Sequence, residues 1–304
     1  MLEFIKPGTY IDFMKYKWYF IGFSLITSLI AIGSIAVQGF SYGIDFAGGS
    51  VIQVQFKNPT TADDIRKALK PMGMQDERIQ SVGAVSDNDF LIRTSQTEDT
   101  NKGFGGKFSS ELEKSFGKGN FEIRRIEMVG GAVSKDIKTK GFLSLIWAAI
   151  GILIYVWWRF EFKFSVGAIV ATLHDVIIVL GMFSILRREM DLTVVAALLT
   201  LIGYSLNDTV VVFDRIRENI KKQQSPNYDL AHVMSMSISQ TLSRTILTAL
   251  TVFLVVIALF FLGGEVMHGF AMVMLIGVII GCYSSIFVAS TIVLFMSKSG
   301  KSSS

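Results

Sequence analysis

The chain has 304 residues, 51% of them hydrophobic, with a net charge of +4, a pI near 9.0 and a mean hydropathy of +0.49. An average soluble domain is also nearly half apolar, so distribution decides: here the apolar residues gather into runs of about 20, the length a helix needs to cross a hydrocarbon core of about 30 Å. In such a chain an excess of Lys and Arg marks cytoplasmic loops rather than nucleic-acid contacts, and the single cysteine, Cys282, excludes an internal disulfide and a multi-cysteine metal site.

Residues 1–17 read as a short cytoplasmic N-terminus carrying Lys6, Lys15 and Lys17, and residues 18–37 as the first span. A signal-peptide core is about 7 to 15 residues, so a run of full spanning length predicts an uncleaved helix. Residues 38–139 have the mixed composition of a small domain. Val51, Ile52, Val54 and Phe56 alternate around Gln53 and Gln55 as a strand does, and Thr60 or Thr61 then caps a helix that ends near Pro71 and Gly73. Two short strands, 78–85 and 89–94, join through Ser86, Asp87 and Asn88 as a hairpin. Phe108, Leu112 and Phe116 mark a helical stripe, Phe121, Ile123 and Ile126 a last strand, and Gly103, Gly105 and Gly106 a flexible loop. The order βαββαβ predicts a ferredoxin-like domain.

Residues 140–296 hold five further spans at about 142–158, 164–186, 192–213, 245–262 and 269–296, with a loop at 214–243 and a tail at 297–304. Lys15, Lys17, Arg159, Lys163, Arg215, Arg217, Lys221 and Lys222 fall on one side of these spans, against Arg187 and Arg188 on the other. The positive-inside rule therefore puts both termini, the 214–243 loop and the tail in the cytoplasm, and the small domain outside.

Ionisable groups within spans cost roughly 2.5 to 3.5 kcal/mol at a helix centre, so something must offset each one. His174 and Asp175 lie about 15 Å into the third span; Asp208, beside Asn207, lies about 24 Å from the outer end of the fourth, and Arg244 about 27 Å below the outer end of the fifth. Asp208 and Arg244 can therefore meet, either as an ion pair that fixes helix register or as a protonatable carboxylate governed by a nearby cation, the arrangement a proton-coupled transporter needs. His174 and Asp175 are open to both a structural and a proton-carrying reading. Gly203, Ser205, Ser243 and Thr245 read as packing. His174, His232 and His268 are scattered, and no HExxH, Walker A or nucleophile-elbow pattern is present, so the chain is not expected to be an enzyme or to need a cofactor or metal.

Three segments carry a resemblance: Gly43-Ile44-Asp45-Phe46-Ala47-Gly48-Gly49 after the first span, His174-Asp175-Val176 in the third, and the run from Ile202 through Asn207-Asp208 to Asn219 in the fourth. Together with the topology and Ser243-Arg244-Thr245 they resemble the SecF branch of the SecD/SecF family of bacterial protein export; Val129-Gly130-Gly131 departs from the Val-Gly-Pro usual there. The resemblance implies an RND-permease-like half of six helices, multi-pass in the bacterial cytoplasmic (inner) membrane. It implies SecD and the SecYEG channel as partners, YajC as a further one, unfolded preprotein as client and membrane lipid around it, with no nucleic acid. It also implies use of the proton gradient to promote preprotein translocation and release on the outer side, with Asp208 and Arg244 in the proton pathway and His174, Asp175 and Asn207 as candidates beside them. The Gly43, Asp45, Phe46, Gly48 and Gly49 motif reads as a tight exit from the membrane, bracketed by Asp45, which lies outside the hydrocarbon. The alternative is half of an RND-type proton-driven lipid or small-molecule exporter, and a third reading is a structural assembly factor that uses no proton.

Overall fold

The computed structural model describes residues 9–74, 77–82, 87–96, 103–223 and 228–299. The cations at 6 and 301, the predicted turn residue at 86 and most of the tail lie outside these. The chain divides into two units, residues 1–41 with 143–304 and residues 42–142.

The smaller unit has the predicted order. Strand β1 is Gly49–Phe56, β2 Arg78–Val82, β3 Asp89–Thr94 and β4 Phe121–Val129; α3 is Ala62–Leu69 and α4 Phe104–Phe116, after α1 (Lys17–Gln38) and a four-residue turn, α2 (Ile44–Ala47). The sheet order is β2-β3-β1-β4 with every pair antiparallel, the ferredoxin-like arrangement. Its core follows from period. Ile52, Val54, Phe56, Phe90 and Ile92 bury one sheet face against Ile65 and Leu69 of α3 and Phe104, Phe108 and Leu112 of α4. Thr61 caps α3 by accepting from the Asp64 amide, and Asp64 accepts in return from Thr61. Hydrogen bonds from Thr61 hold the Asp64 carboxyl below the usual carboxylate range.

β4 breaks its own alternation, with Phe121 and Ile123 on odd positions and Ile126 and Met128 on even ones. A bulge explains this: Gln53 pairs with Arg125 but Val54 with Ile123, so Arg124 is the extra residue. Arg124 thereby reaches across the polar face to Asp89 at 2.9 Å and Gln55 at 2.6 Å.

Two readings of this unit change. Gly105 and Gly106 lie inside α4, not in a loop, because Phe104 and Phe108 sit one turn apart and both are fully buried. Asp45 is not the cap of the exit turn: Gly43 takes that position before α2 and Asp45 lies within its first turn.

Among the described residues six helical stretches are long and apolar enough to span: Phe13–Gln38, Gly131–Arg159, Phe162–Ile185, Leu192–Lys221, Leu230–Leu262 and Val266–Ser297. They correspond to α1 with the short turn before it, α5, α6, α7, α8, and α9 (Gly264–Ser284) continued through a π turn (Ser285–Ala289) into α10 (Ser290–Ser299). The interior belongs to α6, α7 and the last span, while α1, α5 and α8 are mostly exposed. α1 lies on α6, with Ala31 in the space beside Gly181, Ser34 Oγ donating to Ser184 Oγ at 3.0 Å and Ser184 Oγ donating to the Gly39 carbonyl at 2.9 Å. Tyr283 ties α1 to the last span by pairing with Ser24 Oγ at 2.8 Å and donating to the Phe20 carbonyl at 2.6 Å.

The predicted loop 214–243 is largely helix: α7 continues to Lys221 and α8 resumes at Leu230. The polar extension is held by side chains, with Asn219 Nδ2 donating to Ser237 Oγ at 2.9 Å and to Gln240 Oε1 at 2.8 Å, and Arg215 Nε donating to the same Gln240 oxygen at 2.6 Å. α5 begins at Gly131, eleven residues before the apolar run. Gly131 is its first helical residue, a position where the family's proline also fits.

Gly48 and Gly49 show what the GG segment is for. Their φ values are +76° and +125°, and a Cβ on Gly49 would collide with the Thr94 carbonyl of the paired strand β3. Gly49→Ala is expected to destabilise the small unit by roughly 1 to 3 kcal/mol, read as increased protease sensitivity of residues 42–142 in the full chain.

Candidate functional site

Among the described residues the bundle interior holds two carboxyl groups, and sequence reasoning found both. Asp175, on α6, is fully buried, and Asp208, on α7, is 6% exposed. α7 is aimed by its cap: Asp191 accepts from the Val194 amide at 2.8 Å, and the helix then places Ser205 and Asp208 one turn apart on its inner face.

Each carboxyl group is held by two hydroxyls. Asp175 Oδ2 accepts from Ser205 Oγ at 2.5 Å and from Ser284 Oγ at 2.7 Å, while its Oδ1 pairs with His174 Nδ1 at 3.0 Å. An ionised Asp175 only accepts, so His174 Nδ1 carries the hydrogen in that state. His174 Nε2 is buried and without a hydrogen-bond partner among the described residues. Asp208 Oδ1 accepts from Thr245 Oγ1 of α8 at 2.9 Å, and Oδ2 accepts from Ser285 Oγ, the first residue of the π turn, at 2.8 Å. Bonds to a charged acceptor are about twice as strong as neutral ones, which offsets part of the desolvation cost of such an acid.

Small residues bring these groups together. Gly277 of α9 leaves room for Leu201 of α7, and Gly281 faces Ser205 at 3.5 Å and Asp175 Oδ2 at 3.8 Å from where its Cβ would be. Tyr204 and Cys282 approach at 4.0 Å nearby.

Arg244 stands differently from the sequence expectation. No ion pair links it to Asp208 among the described residues; it is exposed on α8, one position before Thr245, and its charge acts on Asp208 through space. Helix rotation is the reason: neighbouring residues sit about 100° apart, and with Thr245 facing inward Arg244 falls on the exposed side of α8. Asn207 is likewise exposed, turned away from the interior that Asp208 enters. The GG segment, Gly43, Asp45, Phe46, Gly48 and Gly49, belongs to the smaller unit. There Phe46 meets Tyr42 edge-on, with ring centroids 6.3 Å apart. The hydroxyls on the two acids were missed or read as packing. Ser284 and Ser285 gave no separate signal, because Ser290 and Thr291 form a second hydroxyl pair in the same span.

Comparison with known proteins agrees with this architecture. The family described as protein export membrane protein SecD/SecF, C-terminal, matches residues 108–299, and the SecD/SecF GG motif matches residues 33–60. A protein translocase subunit SecF from Desulfurispirillum indicum is 41% identical over 292 residues, covering 94% of this chain and 91% of that protein. The crystal structure of SecDF, a translocon-associated membrane protein from Thermus thermophilus, superposes with a TM-score of 0.82 at 34% identity, over 96% of this chain and 39% of that one. SecDF in its super-membrane-facing form gives 0.65 at 32% identity, over 98% and 40%.

The tight helix approach gives a test of the site's support. Gly277→Val would push a branched side chain into Leu201, and overpacking of this kind costs about 1 to 3 kcal/mol. The expected result is a lowered thermal unfolding midpoint in detergent.

Proposed function

This chain belongs to the SecD/SecF family of protein export membrane proteins, and we propose that it is the SecF-type subunit that works with SecD beside the SecYEG channel in the inner membrane. The observation that carries the proton-coupled part is Asp208: a buried carboxyl group that is hydrogen-bonded by neutral hydroxyls rather than locked in an ion pair. A buried acid tightly paired to a cation stays ionised, whereas one held by hydroxyls can gain and lose a proton without leaving a partner charge stranded. Asp175 with His174 is a second candidate proton carrier, and the unpartnered Nε2 of His174 is a place where one can arrive.

Arg244 supports the partnership with SecD. Arg244 is exposed on α8 near the cytoplasmic end of its span, where a charged group turned toward lipid is disfavoured, so we place a partner helix bearing polar groups over the face that carries Arg244, with Asn207 as a further contact. One charge moving through 100 mV releases about 2.3 kcal/mol, enough to bias two conformations of the complex. In this reading the cycle promotes translocation and release of unfolded preprotein on the outer side, where the positive-inside pattern puts the small unit, with both termini cytoplasmic. The exporter reading of the same permease type has no observation in its favour.

Asp208→Asn is the test, because the amide keeps the shape and cannot carry the proton. Normal insertion and copurification with SecD, together with loss of proton-dependent preprotein export, is expected. Unimpaired export would leave a structural assembly role, and a lipid or small-molecule defect with secretion intact would favour the exporter.

A further inference from the structure

Four hydroxyls serve the two buried acids, and they are of two kinds. Ser205 Oγ has Asp175 alone as acceptor, and Thr245 Oγ1 has Asp208 alone, among the described residues. Ser284 Oγ has two acceptors in reach, Asp175 Oδ2 at 2.7 Å and the Gly281 carbonyl at 3.2 Å. Ser285 Oγ also has two, Asp208 Oδ2 at 2.8 Å and the Cys282 carbonyl at 3.1 Å. A hydroxyl owns one hydrogen, so it cannot fully serve both acceptors at once. Each acid therefore has one hydroxyl with a fixed direction and one with a choice, and the two that have a choice are consecutive, fully buried residues where α9 gives way to the π turn.

We infer that Ser284 and Ser285 are positioning residues that reverse their hydrogen bonds when the neighbouring acid takes up a proton. With Asp208 ionised, Ser285 Oγ–H donates to Oδ2. When a proton binds Oδ2, the new O–H donates to Ser285 Oγ, and the serine hydrogen swings to the Cys282 carbonyl; one O–H bond forms on the acid, none breaks on the serine, and no buried polar atom loses its partner. Ser284 does the same between Asp175 and the Gly281 carbonyl. Leaving a buried donor or acceptor unsatisfied in either state would disfavour that state, so the second acceptor is what lets both states exist in a dry interior. The charged and titratable groups around Asp208 are Arg244 on α8, Tyr204 on α7, Cys282 on α9 and Asp175 on α6. None of them replaces this bond, because the hydrogen-bond partners of Asp208 among the described residues are Thr245 and Ser285. The π turn keeps the geometry, with Ser290 Oγ donating to the Ser285 carbonyl at 3.1 Å.

The inference rests on Asp208 being a proton carrier, and the experiment separates the two. Infrared difference spectra between high and low pH are recorded on the full chain copurified with SecD in lipid vesicles, and the protonated-acid carbonyl band that vanishes in Asp208→Asn is followed. In Ser285→Ala the protonated acid has lost its acceptor, so that band should move to higher frequency, while Ser285→Thr should hold it at the wild-type position. Proton-dependent export should fall about tenfold in the alanine variant, the worth of one hydrogen bond, and recover in the threonine variant. If Ser285→Ala does not fold, Ser285→Cys keeps the volume with a weaker partner and should shift the band in the same direction. A band unmoved in the alanine or cysteine variant overturns the serine's role while leaving Asp208 a carrier. Absence of any Asp208-dependent band in the wild type overturns the carrier reading itself, and the inference with it.

Discussion

The membrane unit depends on one constraint: a carboxyl group inside an apolar helix bundle must have its oxygens satisfied by groups brought from other helices. Asp175 and Asp208 sit on two adjacent helices, and their hydroxyl partners come from α7, α8 and the last span. Four segments are therefore fixed relative to one another by bonds whose loss would strand a buried charge. The small residues at Gly277 and Gly281 follow from this, because hydroxyls reach the carboxylates only if the backbones come close. α1 and α5, which are mostly exposed, supply no hydrogen bond to either acid among the described residues.

Much of this was legible in the amino-acid order. Span positions followed from apolar length, and the βαββαβ unit from period and turn residues, since both signals are local. Asp208 and Asp175 stood out because an acid in a span is rare. Their partners did not stand out. Serine and threonine are ordinary in transmembrane helices, where they satisfy themselves on their own backbone, as Thr200 does on the Ala196 carbonyl; only three-dimensional register distinguishes Ser285 from Thr200. Depth arithmetic placed Arg244 and Asp208 at compatible heights but could not give rotation about the helix axis, and rotation sends Arg244 outward while Thr245 takes the inward place.

The errors at element ends share a cause. Hydropathy ends a helix where polar residues begin, yet α7 and α8 run on because Asn219, Arg215, Ser237 and Gln240 bond across the hairpin. The glycines of α4 read as a breaker, yet the helix starts before them because burying Phe104 against the sheet outweighs the roughly 1 kcal/mol per glycine that helix propensity would charge. In both places tertiary contacts override the local signal.

The hydroxyl ties on α1 bear on how the protein is made. Ser24 and Ser34 sit in α1, yet Ser34 meets Ser184 and Ser24 meets Tyr283, 150 and 259 residues further along the chain. α1 therefore leaves the ribosome with these contacts unmade, and its docking is completed only after the span that holds Tyr283 has been synthesised. Biogenesis thus runs opposite to chain order at this point, with α1 made before its partners and locked only after them.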